Sequence, residues 1–158
     1  MKSEQYYDFK NKTVLITGAS GGLGAQCARC FSEAGARVIL AARREAVLAD
    51  LAHELKNALA IKMDVADRHS VTHAFEVLEK AGEKIDICIN NAAIAKSTPL
   101  FEEDSQQDFE QIMQTNVMGV WYVTQAVAKH MKKHSIHGSI MNISSAGGDN
   151  YCRPDRKS

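Results

Sequence analysis

The sequence has no excess of charge of either sign: Lys and Arg number 19, and so do Asp and Glu. That balance removes the electrostatic basis for holding nucleic acid or an acidic membrane surface. No apolar run approaches 18 residues, so no membrane span is expected. Met1-Lys2-Ser3-Glu4-Gln5 lacks the apolar stretch of a signal peptide, which makes the cytoplasm the expected compartment. Cysteine is scarce, at four residues. Cys27 and Cys30 form a C-x-x-C, but no second pair completes a zinc set. On a predicted helix they share one face and read as small buried packing residues, with a redox pair or metal site as the sharper alternative. Cys88 falls in an apolar strand. His130, His134 and His137 gather near a helix end, where cations are favoured; a metal site is the other reading. No linker, low-complexity tract or repeat interrupts the chain.

What is present is alternation. The 158 residues, 45% of them hydrophobic, suffice for one domain with a real core. Strands are predicted at Thr13–Ile16, Arg37–Ala41, Leu59–Met63, Ile85–Ile89 and Ser139–Ile143. Helices are predicted between them. The first ends near Gly35. The second runs from Glu45 to Asn57 with Val47, Leu48, Leu51, Ala52 and Leu55 inward. Asp67 caps the third, which turns Val71, Ala74, Phe75 and Leu78 inward. A capping box of Ser105 and Asp108 opens a long helix to about Lys133, with a bend at Gly119. Strand after helix after strand predicts an α/β, Rossmann-like, doubly wound parallel sheet. Right-handed crossovers and one reversal give the order 3-2-1-4-5, in a single nucleotide-binding domain spanning 1–158.

The stretch Thr17-Gly18-Ala19-Ser20-Gly21-Gly22-Leu23-Gly24 joins the first strand to the first helix. Strand, glycine turn and helix in that order make a phosphate cradle. Gly18 can take a positive φ where the strand ends. Gly22 lets backbone approach a pyrophosphate, and Gly24 lets the helix pack closely. Cradle residues are thus Gly18, Ser20, Gly21, Gly22, Leu23 and Gly24. At the end of the second strand an NAD-binding chain usually places an acid for the ribose 2′-hydroxyl. Here Ala42 stands there, followed by Arg43, whose guanidinium suits a 2′-phosphate. The cofactor expected is therefore NADP(H), with NAD(H) as the alternative. The plainer reading of Arg43 and Arg44 is a solvated helix start.

The Thr-Gly-x-x-x-Gly-x-Gly spacing resembles the short-chain dehydrogenase/reductase family. Asn90-Asn91-Ala92-Ala93 is similar to that family's Asn-Asn-Ala-Gly, with Ala93 where glycine is usual. The resemblance implies that Asp64 and Val65 contact the adenine, and that Asn91, Ala92 and Ala93 line the cofactor. It implies that Asn116, in mid-helix, helps hold a water of the proton relay. It places Ser145, at the end of the fifth strand, as the serine that hydrogen-bonds the substrate oxygen. No metal is implied. The family's Tyr-x-x-x-Lys does not follow. Tyr151 is the one Tyr after Ser145, with Asp155 four residues on, and the family's last strands are absent as well. The sequence therefore reads as an N-terminal portion of an NADP(H)-dependent oxidoreductase acting on a small-molecule carbonyl or secondary alcohol. The alternative is a catalytically inactive nucleotide-binding or interaction module. With no sixth strand beside Ser139–Ile143, that strand and the long helix with Val117, Val120, Trp121 and Val127 predict self-association or a homo-oligomer.

Overall fold

The computed structural model describes residues 7–96, 103 and 105–145. Five strands and five α-helices follow in the order β1 (Thr13–Thr17), α1 (Gly22–Glu33), β2 (Arg37–Ala42), α2 (Glu45–Glu54), β3 (Ala58–Lys62), α3 (Arg68–Lys80), β4 (Ile87–Asn90), α4 (Ser105–Met113), α5 (Val120–Lys133) and β5 (Ser139–Asn142). A π-helical turn, Gln114–Gly119, joins α4 to α5. Every strand pairing is parallel, and the order is β3-β2-β1-β4-β5. This is the doubly wound arrangement expected. The boundaries of all five strands differ from expectation by one or two residues, as strand ends commonly do.

The central strands β1, β2 and β4 are buried on both faces, which is why they read as continuous apolar runs, while β5 at the edge is largely exposed. Alternation splits them cleanly. Leu15, Ile39, Ala41 and Cys88 face α3 and α5, meeting Val71, Phe75, Leu78, Val123 and Val127. Val14, Ile16, Val38, Leu40 and Ile89 face α1 and α2, meeting Ala25, Ala28, Leu48 and Leu51. Two inward assignments are corrected. Val47 is exposed, because the stripe of α2 that meets the sheet is narrow, with Leu48 and Leu51 buried and Ala52 and Leu55 half-buried beside them. Cys30 is exposed and Cys27 half-buried, because α1 packs on its glycine and alanine face at Gly24, Ala25 and Ala28. Val127, expected on an unpartnered face, lies wholly within the core.

The third helix matches expectation: the Asp67 carboxylate accepts the His69 N–H at 2.8 Å, and Val71, Ala74, Phe75 and Leu78 are buried. The predicted long helix opens at Ser105, where the Asp108 carboxylate pairs with Lys96. It then departs from α geometry for six residues rather than bending at one. Asn116 supplies the reason. Its Oδ1 accepts the Ile94 N–H at 2.9 Å and its Nδ2 donates to the Ile94 carbonyl at 2.8 Å. That double bond to a neighbouring loop draws the turn out of register. Gly119 then lies against Val65, where a methyl would stand 2.9 Å from Cγ2. Among the described residues no helix is long and apolar enough to cross a membrane. Met1–Gln5, Cys152, Tyr151 and Asp155 lie outside the described residues.

Candidate functional site

Parallel strands end on the same side of the sheet, and a crevice opens there where the order reverses between β1 and β4. A cleft of about 420 Å³ occupies this place. The turn after β1 forms its floor. Gly18 has φ +67°, and a methyl there would stand 2.8 Å from the Ala92 Cα. A methyl on Gly24 would lie 2.5 Å from the Gly18 carbonyl oxygen and 2.6 Å from the Asn91 amide nitrogen. Both positions therefore require glycine, one for conformation and contact, the other for contact alone.

Thr17 and Asn91 lock this turn to the end of β4. The Thr17 hydroxyl accepts the N–H groups of Asn91 and Ala92, each at 3.0 Å, and donates to the Ile89 carbonyl at 3.4 Å. The Asn91 side chain returns two bonds, to the Thr17 carbonyl at 3.0 Å and the Gly18 carbonyl at 3.4 Å. Asn90 turns the other way. Buried, it donates to Thr124 at 3.0 Å and to Asn142 at 2.9 Å, tying β4 to α5 and β5. Ala93 is exposed, so its methyl meets no obstacle where the family pattern has glycine.

The cleft is electropositive by construction. The N-terminus of α1 points its free N–H groups and dipole at it, with no side-chain cap and no acid in the first turn. Arg43 and Arg44 line the opposite rim after β2. Arg44 reaches across to the turn, donating to the Ser20 carbonyl at 2.9 Å and its hydroxyl at 3.1 Å. Asp64 closes the β3 side, where its Oδ1 accepts the Ala66 N–H at 3.0 Å and shapes that loop.

Of the residues expected to bind cofactor, Gly18, Ser20, Gly21, Gly22, Arg43, Asp64, Val65, Asn91, Ala92 and Ala93 line one cleft. Leu23 is exposed on α1 and Gly24 lies beneath the lining. Asn116 stands behind the wall through its bonds to Ile94, and Ser145, exposed, follows β5 outside the lining. Sequence reasoning missed Thr17, Arg44, Met63, Ile94 and Thr115. Only Thr17 carried a usable signal, as a hydroxyl at the last strand position before the turn. The residues fit an anionic dinucleotide: an uncapped helix end, a side-chain-free floor and two cations on the rim.

Comparison with known proteins agrees with this geometry. The family model described as short chain dehydrogenase matches residues 12–153. Farnesol dehydrogenase of Aedes aegypti is 37% identical over 142 residues, 87% of this chain and 58% of its own length. The NADP-dependent 3-hydroxy acid dehydrogenase YdfG of Shigella flexneri is 36% identical, over 85% of this chain and 54% of its own. A gluconate 5-dehydrogenase from Burkholderia cenocepacia, solved in complex with NADP and tartrate, superposes with a TM-score of 0.82 at 36% identity. That match covers 93% of this chain and 58% of the solved one. The chain thus spans little more than half the length of the relatives it matches. With the sheet order, the glycine turn and the Asn-Asn-Ala clamp in place, this chain belongs to the short-chain dehydrogenase family.

Proposed function

We propose that the cleft binds a nicotinamide dinucleotide, NADP(H) in preference to NAD(H), and that the chain is part of an oxidoreductase acting on a small-molecule carbonyl or secondary alcohol. The observation that carries the cofactor reading is the rim after β2, where Ala42, Arg43 and Arg44 offer two cations and no acid. A guanidinium can grip a 2′-phosphate by charge-assisted bonds, whereas a free 2′-hydroxyl would leave it unsatisfied. The named NADP-dependent relative and the NADP-bound relative support the same choice. Bound there, the cofactor would supply the hydride chemistry. Gly18, Ser20, Gly21, Gly22 and the α1 N-terminus would hold the pyrophosphate, while Asp64 and Val65 would border the adenine. Asn91, Ala92 and Ala93 would border the nicotinamide half. Asn116 would act through Ile94 to fix the wall, and Ser145 would hydrogen-bond the substrate oxygen. The domain 1–158 would serve as the nucleotide-binding unit.

Calorimetry with NADPH and NADH tests this. NADPH should bind more tightly, and Arg43→Ala should remove most of the difference. A charge-assisted bond is worth roughly 1.5–3 kcal/mol, or about ten- to a hundredfold. Equal affinities for the two cofactors overturn the preference. The alternative reading is a nucleotide-binding module without turnover. On this reading the 158-residue chain binds NADPH yet reduces no ketone in a panel above background; ordinary turnover rules it out.

A further inference from the structure

On the face of the molecule formed by α3 and α5, three metal-type donors converge: Glu79 from α3, His130 and His134 from α5. Their donor atoms all lie within 4.8 Å of one another. The histidines are four residues apart, one turn along a single helix face, with ring centroids 4.6 Å apart. Glu79 Oε1 is 2.7 Å from His130 Nδ1 and 2.9 Å from His134 Nε2. His130 is buried, while Glu79 and His134 are half-buried. Beside them runs a groove of about 510 Å³ between the two helices, floored by Val71, Phe75 and Ala126. None of the three donors belongs to the nucleotide cleft.

We propose that Glu79, His130 and His134 form a site for a divalent transition metal of the zinc class. The ligands would be a carboxylate oxygen, Nδ1 of His130 and Nε2 of His134, with the groove side open to water or an outside ligand. Two imidazoles and a carboxylate are a borderline-soft set that suits zinc rather than magnesium or calcium. A tetrahedral zinc with ligands at 2.0–2.1 Å holds its donors about 3.3 Å apart. The two Glu79 contacts, at 2.7 and 2.9 Å, would widen by about half an ångström to admit it, and the two histidine nitrogens, within 4.8 Å of each other, would adjust to the same spacing.

The proton balance is explicit. The Ile85 N–H donates to His130 Nε2 at 3.3 Å, so the ring proton sits on Nδ1 and is given to Glu79. On loading, the His130 proton moves from the ligating Nδ1 to Nε2, and His134 would ligate through an unprotonated Nε2. His130 then carries its proton on Nε2, facing the Ile85 N–H, and that long bond is given up. Lys133 Nζ, 2.8 Å from Glu79 Oε2, competes with the metal for the carboxylate.

The test titrates Zn²⁺ and Co²⁺ into the chelator-treated 158-residue chain, with Cys27 and Cys30 both replaced by Ser to remove competing thiols. One equivalent should bind, and Co²⁺ should give the visible absorption of a tetrahedral site. His134→Gln and Glu79→Gln should each weaken binding at least tenfold, whereas Lys133→Gln should tighten it. The Ile85 amide resonance should shift on loading. His130→Gln, a buried change, is left out because it threatens the fold. Absence of the cobalt spectrum, or binding that His134→Gln leaves unchanged, overturns the site. So does a Lys133→Gln variant that binds no more tightly.

Discussion

At the scale of single residues, the Thr17 hydroxyl holds three hydrogen bonds at the centre of the sheet. It is 1% exposed and satisfies two backbone N–H groups of the β4 end. Thr17→Val keeps the side chain's size but leaves both half-buried N–H groups without their acceptor. An orphaned buried donor costs about 1–3 kcal/mol, and these two are only half-buried at the cleft wall, so a loss of roughly 1–3 kcal/mol in all is expected, read as a lower urea midpoint. Thr17→Ser should recover most of it; an unchanged midpoint for the valine variant would refute this account of the clamp. Residues of this kind were partly legible. Asn116 stood out because an amide in mid-helix has to find a partner, whereas Asn91 was reached only through its likeness to the family's Asn-Asn-Ala pattern. Arg44 did not, because two adjacent cations after a strand give no sign of which one folds back onto the turn. Cys30 was read as buried because a spacing of three fixes a shared face without saying which way that face points. Cys88 followed the simpler rule: fully enclosed in β4, its thiol is pushed up to about 12 by burial.

At the scale of elements, apolar runs and glycine punctuation revealed every strand and its order, and the α3 cap was legible down to its residue. The π-helical turn was not. Periodicity records which positions are apolar, but the turn is set by Asn116 reaching a loop some twenty residues earlier, a contact invisible along the chain. Gly119 was noticed only as a place to bend. Its structural role is to let the helix press against Val65 below the cleft. Gly119→Ala would put a methyl 2.9 Å from Val65 Cγ2 and 3.1 Å from the Val65 carbonyl oxygen. Overpacking of this kind costs about 1–3 kcal/mol, so the melting temperature should fall by several degrees. A melting temperature equal to the parent's would show that the turn is softer than its packing suggests.

At the scale of the whole molecule, an apolar stripe and a balanced charge act together. Phe109, Met113, Val117 and Trp121 recur every fourth residue along α4, the π turn and α5. Their exposures are 61%, 39%, 48% and 59%. Met141 and Ile143 add exposed apolar surface on and beside β5. Nineteen positive side chains against nineteen negative leave no net repulsion to keep copies apart. The 158-residue chain should therefore self-associate at tens of micromolar, and Trp121→Glu should shift it toward monomer. Sedimentation of the parent as one sharp monomeric species would contradict this. The sheet order has one more consequence, for the assembly of the fold. Helices carry the chain from β1 to β2 and from β2 to β3 in short crossovers, but β1 meets β4 only across a span of 73 residues, from Val14 to Ile87. Closing so long a loop costs entropy that no contact repays until the pairing is made. The glycine turn and its Thr17–Asn91 clamp straddle this junction, so the cleft comes into existence only in chains that have completed their most distant pairing.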